Sequence, residues 1–187
     1  DATFLHERIS LTVDGYIKNT TGMLVPYTLP ISTGYTVSPP INAGKVQNKG
    51  VEITVNSHNL VGAFKWNSNF NIAFNKNKIL SLDQNQQLFP QGSSIGLNGY
   101  LAINKVGYPV NSFYGYVTHG IFQTPYDVMA HAAQTGAAAG DIRFKDINND
   151  GVINDQDRTI IGNPNPKFIY GFNNTFSYKG VDLGIFL

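Results

Sequence analysis

The residues best suited to chemistry form one short run, Asp146-Ile147-Asn148-Asn149-Asp150-Gly151-Val152-Ile153-Asn154-Asp155-Gln156-Asp157. It fits the calcium-loop pattern D-x-[DN]-x-[DN]-G with an acidic residue at the twelfth position. A hard cation takes several oxygens at once, and the glycine permits the sharp turn that gathers them. On that template Asp146, Asn148 and Asp150 ligate Ca2+ through side chains, Val152 through its carbonyl, Asn154 directly or through water, and Asp157 last. Two features depart from it. Asp157 stands where a bidentate Glu is usual, and Ile142-Arg143-Phe144 reads as a strand instead of an entering helix. The competing reading is an Asx-rich turn without metal, closed by hydrogen bonds from backbone to side chain.

A second group is aromatic. Tyr100, Tyr108, Tyr114 and Tyr116 lie close together in sequence, and their ring faces suit stacking on a sugar, although packing within a loop uses the same residues. Catalytic patterns are missing: His6, His58, His119 and His131 are dispersed, with no H-E-x-x-H and no nucleophile elbow near them. The chain has no cysteine, which removes thiolate nucleophiles, thiolate zinc sites and disulfides together. The sequence does not read as an enzyme.

The elements that must position these groups are strands. Over 64–75 the residues Phe64, Trp66, Phe70, Ile72 and Phe74 fall on one face with Ser68 among them, while Lys65, Asn67, Asn69, Asn71, Ala73 and Asn75 fall on the other. The same alternation runs through 168–178, where Phe168, Tyr170, Phe172, Phe176 and Tyr178 oppose Ile169, Gly171, Asn173, Thr175 and Ser177. Strands are also expected near 8–18, 46–57 and 181–187. Segments 64–75 and 168–178 are long by the standards of soluble proteins.

Composition sharpens the class. Only 13% of residues are charged, about half the usual share, so the polar strand faces are built from Asn, Ser, Thr and Gly and not from Lys and Glu. A net charge of +1 leaves no electrostatic footprint for nucleic acid. Turns on one rim are tight, around 58–60 and at Lys179-Gly180, whereas the other ends are joined by long excursions, 19–45 and 76–167. Short turns on one rim and long loops on the other are the arrangement of a transmembrane β-barrel, which hides its backbone polar groups and turns apolar side chains to lipid. The expected fold is therefore all-β: antiparallel up-and-down strands forming an arc of a large transmembrane barrel, with long extracellular loops. Five strands are too few to close one.

Several ordered blocks resemble one family. Asn42-Ala43-Gly44-Lys45-Val46-Gln47-Asn48-Lys49-Gly50-Val51-Glu52 resembles the N-x-G-x-V-x-N-K-G-x-E segment of SusC/RagA-type TonB-linked outer-membrane proteins. Phe64-Lys65-Trp66-Asn67, Val106-Gly107-Tyr108-Pro109, Gly140-Asp141-Ile142-Arg143-Phe144-Lys145-Asp146 and Arg158-Thr159-Ile160-Ile161-Gly162-Asn163-Pro164 continue the likeness over nearly the whole chain. The resemblance implies a 22-stranded importer of the outer membrane of Bacteroidetes-type Gram-negative cells. It further implies an N-terminal plug, drive from TonB, a SusD-like surface lipoprotein as partner, and oligosaccharide or peptide cargo. Residues 1–187 would be a late part of that barrel, without the plug. The alternative is a soluble β-rich extracellular module that binds glycan or protein through a calcium-stabilised loop.

Overall fold

The computed structural model describes residues 1–26, 34, 39–82, 87–90 and 99–187. The chain divides into two compact units, Asp1–Asp83 with Asn165–Leu187, and Gln84–Pro164.

The first unit is a six-stranded antiparallel sheet in the order β1 (Ala2–Phe4), β2 (Ile9–Pro26), β3 (Pro40–Val61), β4 (Phe64–Leu82), β11 (Ile169–Tyr178), β12 (Val181–Phe186). The alternation makes it. Across β3 and β4, Val51 faces Phe74, Ile53 faces Ile72 and Val55 faces Phe70, and β11 continues those rows with Tyr170 opposite Ile72 and Phe172 opposite Phe70. One face is therefore apolar from β2 to β12, and the register cannot slip by one residue without exchanging the two faces. Phe64, Trp66 and Phe70 meet Phe176 and Phe172 with ring centroids 5.7 to 6.3 Å apart. The opposite face carries hydrogen-bonded amides. Asn69 donates to Asn56 (2.5 Å), which donates to Ser10 (3.3 Å), and Asn77 donates to Asn48 (2.8 Å).

All the tight turns lie on one rim: residues 5–8, 62–63, and Lys179-Gly180, whose φ values of 46° and 83° make the two-residue hairpin turn that matches strand twist. The long connections leave from the other rim.

The strands extend beyond the expected bounds. β2 reaches Pro26, β3 begins at Pro40 and β4 runs to Leu82, so the expected loops 19–45 and 76–167 are narrower. The apolar alternation fades after Ile17 because Asn19, Gln47 and Lys78 occupy the formerly apolar face, yet the ladder continues through Asn19 opposite Gln47 and Gln47 opposite Lys78. Val46 and Ile79, paired on the other face, become buried there. Strand β1 also lacks a signal, since three residues hold too little pattern to read. Parts of both expected loops, 27–33, 35–38, 83–86 and 91–98, lie outside the described residues.

The second unit is a set of short pieces: β5 (Gln87–Leu88), β6 (Ala102–Lys105), β7 (Ser112–Tyr116), β8 (Thr118–Ile121), α1 (Pro125–Ala130), β9 (Ile142–Phe144) and β10 (Arg158–Gly162). Strands β10, β7, β6 and β5 form one sheet, and β8 and β9 another. Thr124 starts α1 with a capping box: the Asp127 amide donates to Thr124 Oγ1 (3.2 Å), and the Thr124 amide donates to the Asp127 carboxylate (2.9 Å). Phe122 and Ile103, each 1% exposed, are the unit's buried apolar anchors among the described residues.

Candidate functional site

The Asn-Asp-Gly run folds as a chain of Asx turns that ends in a single 3-10 turn, Asp155–Asp157. Asp146 accepts from the amides of Asn149 (2.6 Å) and Gly151 (2.9 Å). The carboxamide of Asn148 accepts from Asp150, Asp150 from Val152, and Asn154 from Gln156. Asn149 and Gly151 take positive φ, 60° and 84°, where the chain reverses. Asp157, fully buried, closes the loop by accepting from the amides of Asn154 and Ile147, both at 2.9 Å. Those amides hold its carboxyl below the usual carboxylate range. The side chains expected to face a cation thus bind their own backbone, and among the described residues no three His, Asp or Glu side chains converge as a metal cluster. Each oxygen that accepts one amide keeps a second lone pair, so the donor chemistry still suits a hard cation.

The Ala-rich stretch that precedes the loop braces it. The Ala133 amide donates to the Gly151 carbonyl (2.7 Å) and Ile153 donates back to Ala133 (3.0 Å), a parallel bridge with no pattern in the sequence to announce it. Gln134 reaches across to the Phe144 amide and the Ile142 carbonyl, taking the place of a missing strand.

Three of the four expected tyrosines gather around Arg158. Its guanidinium lies 4.9 Å from the Tyr114 ring and 5.8 Å from Tyr116, donates to the Tyr100 carbonyl, and stands 3.7 Å from Asp155. Phe89 stacks on Tyr100 at 4.3 Å, and Tyr116 packs against Phe144 at 4.9 Å. Burial and the nearby Asp155 carboxylate push the Tyr116 hydroxyl above its ordinary value. These rings pack on one another and on an arginine, which is the loop-packing arrangement. Tyr108 is separate, near Lys105. Arg158 is the residue that sequence reasoning passed over, although an arginine directly after an acidic loop and before the apolar Ile160-Ile161 pair is a recognisable signal.

In the sheet unit one polar cluster sits on the apolar face. Asn174 accepts from Ser68 Oγ (2.6 Å) and from the Trp66 indole (3.0 Å), and Asn59 donates to Ser68 (2.8 Å), so the amide and hydroxyl groups of this row satisfy one another. Their pairing keeps an otherwise apolar face free of unmet polar groups. Among the histidines, His58 meets Asn67 at 2.6 Å and His131 stands edge-on to Phe122.

No protein-family model matches the chain. Over its full length it is 36% identical to TonB-dependent receptor P3 of Formosa agariphila and 30% identical to TonB-dependent receptor SusC of Bacteroides thetaiotaomicron. The chain belongs to the SusC/RagA-type TonB-dependent receptors. It covers 19% and 18% of those two relatives, so it spans about a fifth of the length of the curated relatives it matches. A solved structure of the RagAB peptide transporter superposes on 97% of the chain with a TM-score of 0.71 at 21% identity, covering 18% of that structure's chain. At that identity the likeness speaks for the fold, and the six-stranded sheet is an arc of a SusC/RagA-type β-barrel.

Proposed function

We propose that this receptor segment forms part of the wall and outer loops of an outer-membrane, TonB-dependent importer of oligosaccharides or peptides that works with a SusD-like surface lipoprotein. The observation that carries the reading is the uncovered apolar face. From Phe64 to Phe74 it spans ten residue steps of β4, roughly 33 Å along the strand and about 25 Å once tilted as barrel strands are, the height of a bilayer's apolar band. Val13, Phe74 and Tyr170 on it are 53%, 43% and 56% exposed. Trp66, Phe64 and Tyr178 collect on the tight-turn rim, the placement of an interfacial aromatic girdle.

A lipoprotein partner suits the exposed side chains of α1, where Tyr126 is 72% and Met129 78% exposed. The names of the relatives support import: SusC is a TonB-dependent receptor, and RagAB is a peptide transporter. No catalytic role is part of the proposal. Calcium enters as a stabiliser of the Asp146–Asp157 loop, which its own amides already shape, and not as its organiser. At ten times its Kd the ion would add about 1.4 kcal/mol.

Uptake tests the reading. Cells carrying the whole receptor should accumulate a labelled oligosaccharide or peptide only while TonB and the proton-motive force are intact, and the receptor should co-purify with a lipoprotein. Uptake that persists without TonB would contradict it. The calcium element is checked separately, because chelation should lower the melting temperature of wild type and leave an Asp146→Ala, Asp150→Ala double variant unmoved.

A further inference from the structure

The boundary of the apolar face on the long-loop rim is abrupt. Its last apolar row, Gly15, Val51 and Phe74, is followed one step along by Ile17, Lys49 and Lys76. Lys49 and Lys76 are direct cross-strand partners, both exposed, and Lys78 extends the basic strip two residues further along the same face. Like charges set directly opposite repel, which destabilises a strand pair unless an anion lies between them. Among the described residues no carboxylate forms an ion pair with these lysines, the sole such pair being Arg158 with Asp155, in the other unit.

A cavity of about 580 Å³ opens at this boundary, within the range of small-molecule sites. Both apolar-face rows line it, together with Lys167, and among the described residues no acidic one does. Gly15 makes room for it, since a Cβ built there would meet nothing within 4 Å. The site is amphiphilic, with an apolar trough and three lysines among its lining residues. Asp14 and Glu52 stand opposite one another on the other face of the sheet, away from the lysines.

We infer that Lys49, Lys76 and Lys167 hold the phosphate of a phosphorylated lipid in the outer leaflet, whose acyl chain lies in the trough over Gly15, Val51 and Phe74. The assignment rests on the membrane reading above, which places the long-loop rim outside the cell. Cationic side chains just beyond a hydrophobic band bind anionic head groups, each lysine contributing on the order of 1 kcal/mol near such a surface.

The test uses the whole receptor extracted from the outer membrane in detergent, with native mass spectrometry reading retention of added bisphosphorylated lipid A. Wild type should retain one lipid, and a Lys49→Gln, Lys76→Gln variant should bind it about tenfold more weakly or worse. Lys18→Gln, on the other face, should retain it as wild type does. Dephosphorylated lipid should show the same loss on unaltered protein, an arm that depends on no variant folding. Inorganic phosphate at equal concentration should not displace the lipid. Equal retention by the glutamine variant, equal binding of the dephosphorylated lipid, or displacement by inorganic phosphate would each overturn the assignment. Membrane fractionation before extraction keeps the two readings apart: absence from the outer membrane sinks the importer, whereas a properly inserted receptor without phosphate-dependent retention sinks only the lipid site.

Discussion

The sheet unit and the loop unit satisfy their backbones by opposite means. Among the described residues of the sheet unit, cross-strand ladders pair the main chain, and the side chains of the apolar face meet neighbours in the same and adjacent rows. In residues 84–164, side chains of Asp146, Asp150, Asn154, Asp157 and Gln134 bind main chain, and Phe122, Ile103, Ser112 and Asp157 are buried. The loop unit closes over a small core of its own. The sheet buries Val25, Val46, Ile79 and Leu82 toward the long-loop rim and leaves its central apolar rows open. An apolar face of that extent is stable when its solvent is itself apolar, and on the importer reading lipid takes that part.

The strongest way to break this contrast is to place a charge on each sheet face in turn. Ile72→Arg should cost about 2–4 kcal/mol when the receptor is unfolded from lipid vesicles, because the arginine lands near the middle of the apolar band. Asn71→Arg, one residue away on the amide-lined face, should cost less than about 1 kcal/mol. Equal penalties would mean that the two faces meet the same medium.

The same two residues explain why the sheet was legible in the sequence and the loop unit much less so. Period-two patterning records which face a residue occupies, so the rows from Phe64 to Phe74 and from Phe168 to Tyr178 can be read without coordinates. Where that record stops, as at Asn19, Gln47 and Lys78, the strands continue unseen. Asn174 escapes for a related reason: it occupies an apolar-face position while looking like part of the polar run Asn173-Asn174-Thr175, and only its contact with Ser68 and Trp66 explains it. In the loop unit the Asn-Asp-Gly spacing predicts a turn correctly, but the spacing is shared by metal loops and Asx turns, so the sequence cannot say that Asp157 is turned to Ile147 and Asn154. The docking of Ala133 on Gly151 and of Arg158 on its tyrosines joins distant residues through single contacts, and such contacts leave no period behind them.

Glycine sharpens the contrast at a smaller scale. A Cβ at Gly50 would lie 2.5 Å from the Phe74 carbonyl oxygen and 2.7 Å from the Tyr16 hydroxyl, so Gly50→Ala should destabilise the sheet by about 1–3 kcal/mol in denaturant unfolding. Gly15→Ala on the neighbouring strand meets nothing and should leave the midpoint within about 0.5 kcal/mol of wild type. In the loop unit, Arg158→Lys keeps the charge but loses the planar group over Tyr114 and Tyr116. It should cost about 1–2 kcal/mol, seen as faster amide exchange within 84–164 and unchanged exchange in β3 and β4.

The smallest effect is absent at neutral pH. Because the amides of Asn154 and Ile147 lower the folded-state value of Asp157, its carboxylate stabilises the loop above the ordinary 3.8 and loses that contribution as pH falls through the lowered value. Protection of the Ile147 and Asn154 amides should therefore persist to well below about pH 5 and fade only in stronger acid. Loss near neutrality would assign the closure of the loop to some other group.

The central claim is that the two sheet faces meet different media, and these 187 residues carry no cysteine that would compete with a label placed among them. Single cysteines placed in turn at 69 to 74 of the whole receptor, spin-labelled and reconstituted in lipid vesicles, report collision with oxygen dissolved in lipid or with a water-soluble relaxant. Labels at 70, 72 and 74 should be accessible from lipid and shielded from the aqueous relaxant, with the reverse or a doubly shielded response at 69, 71 and 73. Uniform access to the aqueous relaxant along the whole segment would contradict the account.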